Sequence, residues 1–246
     1  MAGTFGMSFL TAEWRYLAML NYEIEPAIVL PLVPKGTELD AWNGKTFVSM
    51  VGFLFLNTRV MGLAIPFHRD FEEINLRFYV RHKAEDGWRR GVVFVKEIVP
   101  RAAIALTARW LYYENYVALP TGNVILRSQQ NPVNIESVKY FWTFERKPHY
   151  IELATRGEPR QFTEGSEEEF ITQHYWGYSS QRDGGTVEYR VDHPTWRVWQ
   201  AQSCRFECDV EKLYGERFAG ALSAPPSSAF LADGSEITVY KGRRLA

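Results

Sequence analysis

Residues 71–82 read FEEINLRFYVRH. Glu73, Asn75, Arg77, Tyr79 and Arg81 alternate with Ile74, Leu76, Phe78 and Val80. A period of two over this length specifies a strand with two unlike faces. The apolar face must be covered by a second layer. The polar face raises a question of partners. Its members stand about 6.5–7 Å apart, so Glu73 and Arg77 are about 13 Å from each other and cannot pair directly. Each needs a partner on a neighbouring strand, in water or in a ligand. Antiparallel sheets commonly leave one face wet. The alternative is the inside of a small barrel, where acid, amide, guanidinium and phenol side chains line a ligand cavity.

The flanking sequence is rich in strands. Asn43-Gly44, Asp86-Gly87, Asp183-Gly184-Gly185 and Asp233-Gly234 read as turns between β-branched and aromatic runs. KTFVSMVGFLFL after the first reads as a buried strand. INLRFYVRH and GVVFVKEIV form a hairpin about the second. EEFITQHYWGYSSQ and TVEYRVDHP form another about the third. WRVWQAQSCRFECDV and SEITVYKG read as further strands. One helix is expected from Pro100 to Tyr113, with Pro100 at its first turn. A second is expected over DVEKLYGERFAGAL, capped by Asp209, and a short helical turn near Glu25–Pro34. The polar stretch from Glu152 to Glu169 reads as a loop. Many strands and few helices predict a mainly β barrel or sandwich, built as one domain over residues 1–246.

Composition narrows the function. The chain has 28 basic and 29 acidic residues, a net charge of -1, which gives no electrostatic reason to expect a nucleic-acid or anionic-membrane partner. No apolar run is long enough for a membrane helix, and the N-terminus does not read as a signal peptide. Cys204 and Cys208, four residues apart on one strand, lie roughly 13 Å from each other and are expected as free thiols. That fits a cytoplasmic location. Neither a metal site nor a nucleotide-binding motif is recognisable, so no cofactor is expected. A homodimer is the base-rate expectation for this size.

Several stretches carry a resemblance. They are KGTELDAWNGKTFVSMVGF, FEEINLRFYV, ARWLYYENY, FITQHYWGYS, HPTWRVW and LYGERFAGAL with the following PPSSAFLADGSEITVY. In this order, over roughly Thr11 to Tyr240, they resemble a bacterial family of uncharacterised, YqjF-like proteins, itself similar to acetoacetate decarboxylase. The resemblance implies an acetoacetate decarboxylase-like antiparallel β-barrel with an internal cavity and a few packed helices. It also implies a chemical comparison. The decarboxylase forms a Schiff base on a lysine whose pKa is depressed by desolvation and a second cation. The matching segment here is ARWLYYENYVALP. Arg109 falls at the arginine position and Tyr116 at the lysine position, and no lysine occurs between Lys96 and Lys139. Schiff-base decarboxylation by the family's usual residue is therefore not expected. Lys96 alternates with Val92 and Phe94, so it either shares their environment or extends to water.

The resemblance places Glu73 at a strand glutamate that faces the decarboxylase pocket. A carboxylate in a partly dry cavity can serve as general acid or base, and Glu73 is the candidate catalytic residue. Its alternative is a buried ion pair with Arg77 or Arg109. Those arginines are candidate anion anchors. Asn75 and Tyr116 join them as ligand-binding candidates, together with His174 and His193, which are expected on the two strands of the third hairpin. The expected partner is a small organic acid or polar metabolite. The competing expectation is a non-catalytic structural or sensing module, whose polar groups are structural ion pairs.

Overall fold

The computed structural model describes residues 8–66, 68–100 and 115–245. Its strands are β1 (Ser8–Glu23), β2 (Glu38–Leu39), β3 (Phe47–Val60), β4 (Leu63–Ala64), β5 (Phe71–Ala84), β6 (Gly87–Val99), β7 (Tyr116–Ala118), β8 (Thr121–Arg127), β9 (Ile135–Phe144) and β10 (Lys147–Gln161). They continue as β11 (Trp176–Ser180), β12 (Thr186–Asp192), β13 (Arg197–Glu207), β14 (Ser228–Tyr240) and β15 (Arg243–Arg244). The helices among the described residues are short: α1 (Pro26–Val29), α2 (Glu167–Thr172), α3 (Val210–Tyr214) and α4 (Glu216–Ser223). All strands join one sheet in the order β12-β11-β6-β5-β3-β1-β14, and a β12–β14 pairing closes those seven into a ring. β13, β10, β9 and β8 continue from β14 as an arm.

Alternation on β5 is what gives the ring its inside and outside. Ile74, Leu76, Phe78 and Val80 point outward into a fully buried cluster with Met50, Val138, Trp142, Ile151 and Leu153. The arm and the α3–α4 segment therefore supply the second layer that the apolar face requires. Contact is close: a Cβ on Gly52 of β3 would sit 2.5 Å from Ile151 and 2.8 Å from Tyr140. The opposite face, with Met19, Val51, Phe53, Val92 and Ile237, packs inside the ring. Phe170 and Ile171 of α2 fill one end, against Phe47 and Tyr79.

Several expectations need correction. Glu152–Glu169 is not a loop, because β10 runs to Gln161. His149, Ile151, Leu153 and Thr155 are buried at alternate positions, while Tyr150, Glu152 and Ala154 between them are only partly buried. Pairing with β9 and β13 on its two sides makes the segment a strand. The strand expected from Glu168 begins only at Trp176. Before it, α2 is capped by the Ser166 side chain, which accepts from the Glu169 amide, and its first turn holds three glutamates. Acids at a helix N-terminus are stabilising and account for the run EEE. The helix expected after Asp209 is capped by that residue, but it breaks in two at Gly215, whose φ is 103°. Asp233-Gly234 is not a turn and lies within β14. There Gly234 has φ 77°, and an added Cβ would meet the Trp14 carbonyl oxygen at 2.0 Å.

Other expectations hold. β5 and β6 form a hairpin across Asp86-Gly87, and β11 and β12 form one across residues 181–185. Helical structure occurs at Pro26–Val29, followed by a 3-10 turn at Leu30–Leu32. Both cysteines are free. The sheet is not wholly antiparallel, since β11 and β7 each pair with β6 in parallel. The expected helix lies, after Pro100, outside the described residues, as does Arg109. No described helix is long and apolar enough to cross a membrane.

Candidate functional site

The ring encloses a cavity of about 330 Å³. Glu73, Asn75 and Arg77 all line it and are 3%, 1% and 9% exposed. The polar face of β5 thus turns inward. Tyr79 shares that face but lies beyond the cavity, at the filled end. Its hydroxyl is 2.6 Å from Ser49 Oγ, and its ring packs on Phe170 and His174. Arg81 lies past the interior and bonds Glu38 at the surface.

A bulge in β6 decides which charged residue of the next strand joins the site. Leu76 pairs with Lys96, but Arg77 pairs with Phe94, which leaves Val95 extra. An extra residue reverses the side-chain parity beyond it. Val92 and Phe94 therefore line the cavity, and Glu97 does so in place of Lys96. Glu97 sits opposite Asn75 on one side and Tyr116 on the other, and is 1% exposed. Strict alternation along VFVKEIV cannot reveal it. Lys96 instead leaves by the outer face. Its ammonium donates to the Leu213 carbonyl and lies 5.8 Å from the Tyr214 ring centroid. Burial lowers its pKa, but its position keeps it from the cavity. No lysine lines the cavity among the described residues.

The polar groups are held unevenly. Asn75 Nδ2 donates to Glu73 Oε1 at 3.0 Å. Arg77 Nη2 donates to the Ile171 carbonyl at 3.2 Å, where α2 is ending. Its guanidinium lies 5.7 Å from the Tyr79 ring centroid. Arg77 Nε and Asn75 Oδ1 are buried and have no hydrogen-bond partner among the described residues. Buried polar atoms in that condition call for an explanation, because each forfeits its hydration.

His174 and His193 both line the cavity, though neither lies on a strand. His174 follows α2 and precedes β11, whereas His193 follows β12. The hairpin brings them together, with His193 Nε2 3.5 Å from the His174 carbonyl. His174 is held neutral, its pKa pushed well below the usual histidine range by burial and then by the Arg90 and Arg77 charges. Asp40 Oδ2 stands 4.0 Å from its Nε2, and neither ring nitrogen completes a hydrogen bond among the described residues. Burial also lowers the pKa of His193, which is stacked between Tyr175 and Trp196.

The site therefore has a polar wall and an apolar remainder. β5, β6, β7 and the α2–β11 connection supply two carboxylates, an amide, a guanidinium, an imidazole and a phenol. β1, β3, β12 and β14 supply Trp14, Phe53, Phe55, Tyr189, Val191 and Val239. The sequence candidates Glu73, Asn75, Arg77, Tyr116, His174 and His193 converge on this space. Such an arrangement can anchor an anion and move a proton, with neutral imidazole and carboxylate within one cavity.

Comparison with known proteins agrees with this architecture. A model of the DUF2071 family, described as an uncharacterized conserved protein, matches residues 11–236, and the chain belongs to that family. It is 25% identical over 227 residues to the uncharacterized protein YqjF of Bacillus subtilis strain 168, covering 92% of this chain and 87% of YqjF. Its fold is that of acetoacetate decarboxylase from Legionella pneumophila, with a TM-score of 0.66, 11% identity, and coverage of 99% and 90% of the two chains. The enduracididine biosynthesis enzyme MppR, in complex with pyruvate, gives a TM-score of 0.67 at 12% identity, covering 100% and 93%. An acetoacetate decarboxylase-like enzyme from Sphingomonas wittichii RW1 gives 0.65 at 13%, covering 98% and 94%.

Proposed function

Taking membership in an uncharacterised family with a decarboxylase-like fold as the premise, we propose that this protein binds a small organic acid or polar metabolite inside the ring. Arg77 anchors the anion, and Glu73 is the proton carrier for any acid/base step. No imine to lysine forms in the cavity. The observation that carries this reading is the row Glu73–Asn75–Arg77, which faces an enclosed space while Arg77 Nε and Asn75 Oδ1 lack partners among the described residues. A row serving only the scaffold would be expected to satisfy those buried atoms within the protein. Further support comes from the absence of lysine among the described lining residues and from the exit of Lys96 through the opposite face. The pyruvate complex of MppR makes a small acid a reasonable first probe. We also take the chain as one domain, since β1 pairs with both β3 and β14 and so ties the two ends of the sequence into one ring.

The test is a thermal-shift screen of small carboxylic acids against wild type and Glu73→Gln. A ligand that binds the folded state raises the midpoint by mass action. The reading expects stabilisation of wild type by at least one acid and a changed response in Glu73→Gln. A set of acids that moves neither midpoint contradicts it.

A further inference from the structure

We propose that the ligand is amphipathic: a carboxylic acid or its amide with an unbranched or aryl apolar body of medium length, head against Arg77 and Asn75, tail toward the β3–β4 turn. This rests on reading the cavity as an acid-binding site and adds the chemistry of the rest of the ligand. Two adjacent orphaned atoms on β5 define the head, among several on the lining: Trp14 Nε1, Thr58 Oγ1 and both His174 ring nitrogens also lack hydrogen-bond partners among the described residues. Arg77 Nε–H needs an acceptor and Asn75 Oδ1 needs a donor. A protonated carboxyl or a carboxamide offers both on one planar group, as does a carboxylate carrying a neighbouring hydroxyl.

The remaining walls define the body. Phe53, Phe55, Val191 and Val239 present only hydrocarbon to the space, and Trp14 adds an indole ring whose Nε1–H has no hydrogen-bond partner among the described residues. A small polar acid held at Arg77 would leave this surface facing water. An apolar chain removes it from water, which is favourable in proportion to the area covered. The exposed part of the lining gives the direction of the chain. Tyr79, Phe47 and Phe170 close one end. At the other, the lining includes Val60, Ile65 and His68, where Ile65 is 41% exposed. Met61 and Leu63 beside it are 66% and 70% exposed, so the rim there is apolar as well. The cavity size gives the length. At about 30 Å³ per water-sized unit, 330 Å³ holds roughly ten non-hydrogen atoms.

The experiment is isothermal titration of straight-chain acids from acetate to dodecanoate, and of their primary amides, into wild type, Arg77→Met and Ile65→Asp. We expect the Kd to fall about fourfold per methylene from butanoate, and to level off near octanoate, where the cavity is full. Arg77→Met is expected to weaken octanoate binding tenfold or more. Ile65→Asp, at an exposed position that leaves the core intact, is expected to weaken the longest chains most. If acetate and pyruvate bind as tightly as octanoate, the apolar-body inference fails while the acid-binding reading stands. If octanoate binds Arg77→Met as well as wild type, the head is misplaced. If no acid or amide of any length binds, both readings fail together.

Discussion

Arg77→Met separates a binding role for this arginine from a structural one. Met keeps most of the length of the side chain and its apolar stem but removes the charge. Two interactions are lost. The charged hydrogen bond to the Ile171 carbonyl contributes about 1.5–3 kcal/mol. The contact with the buried Tyr79 ring contributes about 2 kcal/mol, since both groups are desolvated. Against this, wild type buries a guanidinium whose Nε has no hydrogen-bond partner among the described residues, at a cost of about 1–3 kcal/mol or more. The terms largely offset. The ligand-free variant should lie about 2 kcal/mol below wild type, which for a chain of this length is roughly 6 °C in midpoint. A buried arginine serving as half of a structural ion pair behaves differently. Removing one partner then costs about 3–5 kcal/mol, because the other charge is left uncompensated. Urea unfolding of both proteins in ligand-free buffer distinguishes the two. A loss above about 3 kcal/mol refutes the argument and assigns Arg77 to the scaffold.

Three further outcomes are expected. His174 has a folded-state pKa below its unfolded value, so the unfolded chain takes up the proton first. Its contribution to stability is complete above about pH 6.5 and is lost as pH falls below that, by up to about 1.4 kcal/mol per pH unit. Denaturation between pH 5 and 7 should show a shallower pH slope for His174→Phe, and an unchanged slope contradicts this. Gly234→Ala forces a Cβ onto the Trp14 carbonyl at a positive φ and should destabilise by about 3 kcal/mol, whereas a near-neutral calorimetric result would deny the close approach. Lys96→Gln should leave acid binding unchanged, and borohydride with a keto acid should leave the intact mass of wild type unchanged; a reduced adduct on Lys96 overturns its placement outside the cavity.

The part of the site on β5 was legible because one strand encodes it. Alternation fixes which residues share a face, and a wholly apolar opposite face demands a covering layer. It does not say whether the polar face is wet or enclosed. Enclosure depends on the β12–β14 pairing, which joins Val191 and Asp192 to residues some fifty positions away and leaves no local pattern. Glu97 was hidden for a different reason. Periodicity assigns Lys96 to the face of Val92 and Phe94, and a single extra residue at Val95 gives the place to the next side chain. β10 was obscured because its outward face carries charge, while its burial at alternate positions comes from β9, β13 and the core beneath them. The histidines were found as a pair, but their approach depends on α2, whose acidic first turn sits in a stretch that reads equally well as loop and strand.

The central claim is that Glu73, Asn75 and Arg77 turn toward an enclosed space that accepts a ligand. The most direct measurement is the anomalous signal of bromine in crystals soaked with 8-bromooctanoate. The account predicts the carboxyl head within hydrogen-bonding distance, about 3 Å, of Arg77, and a bromine peak near Ile65. Bromine found only on the outer surface, with the three side chains directed into bulk solvent or sealed in a filled interior, would contradict it.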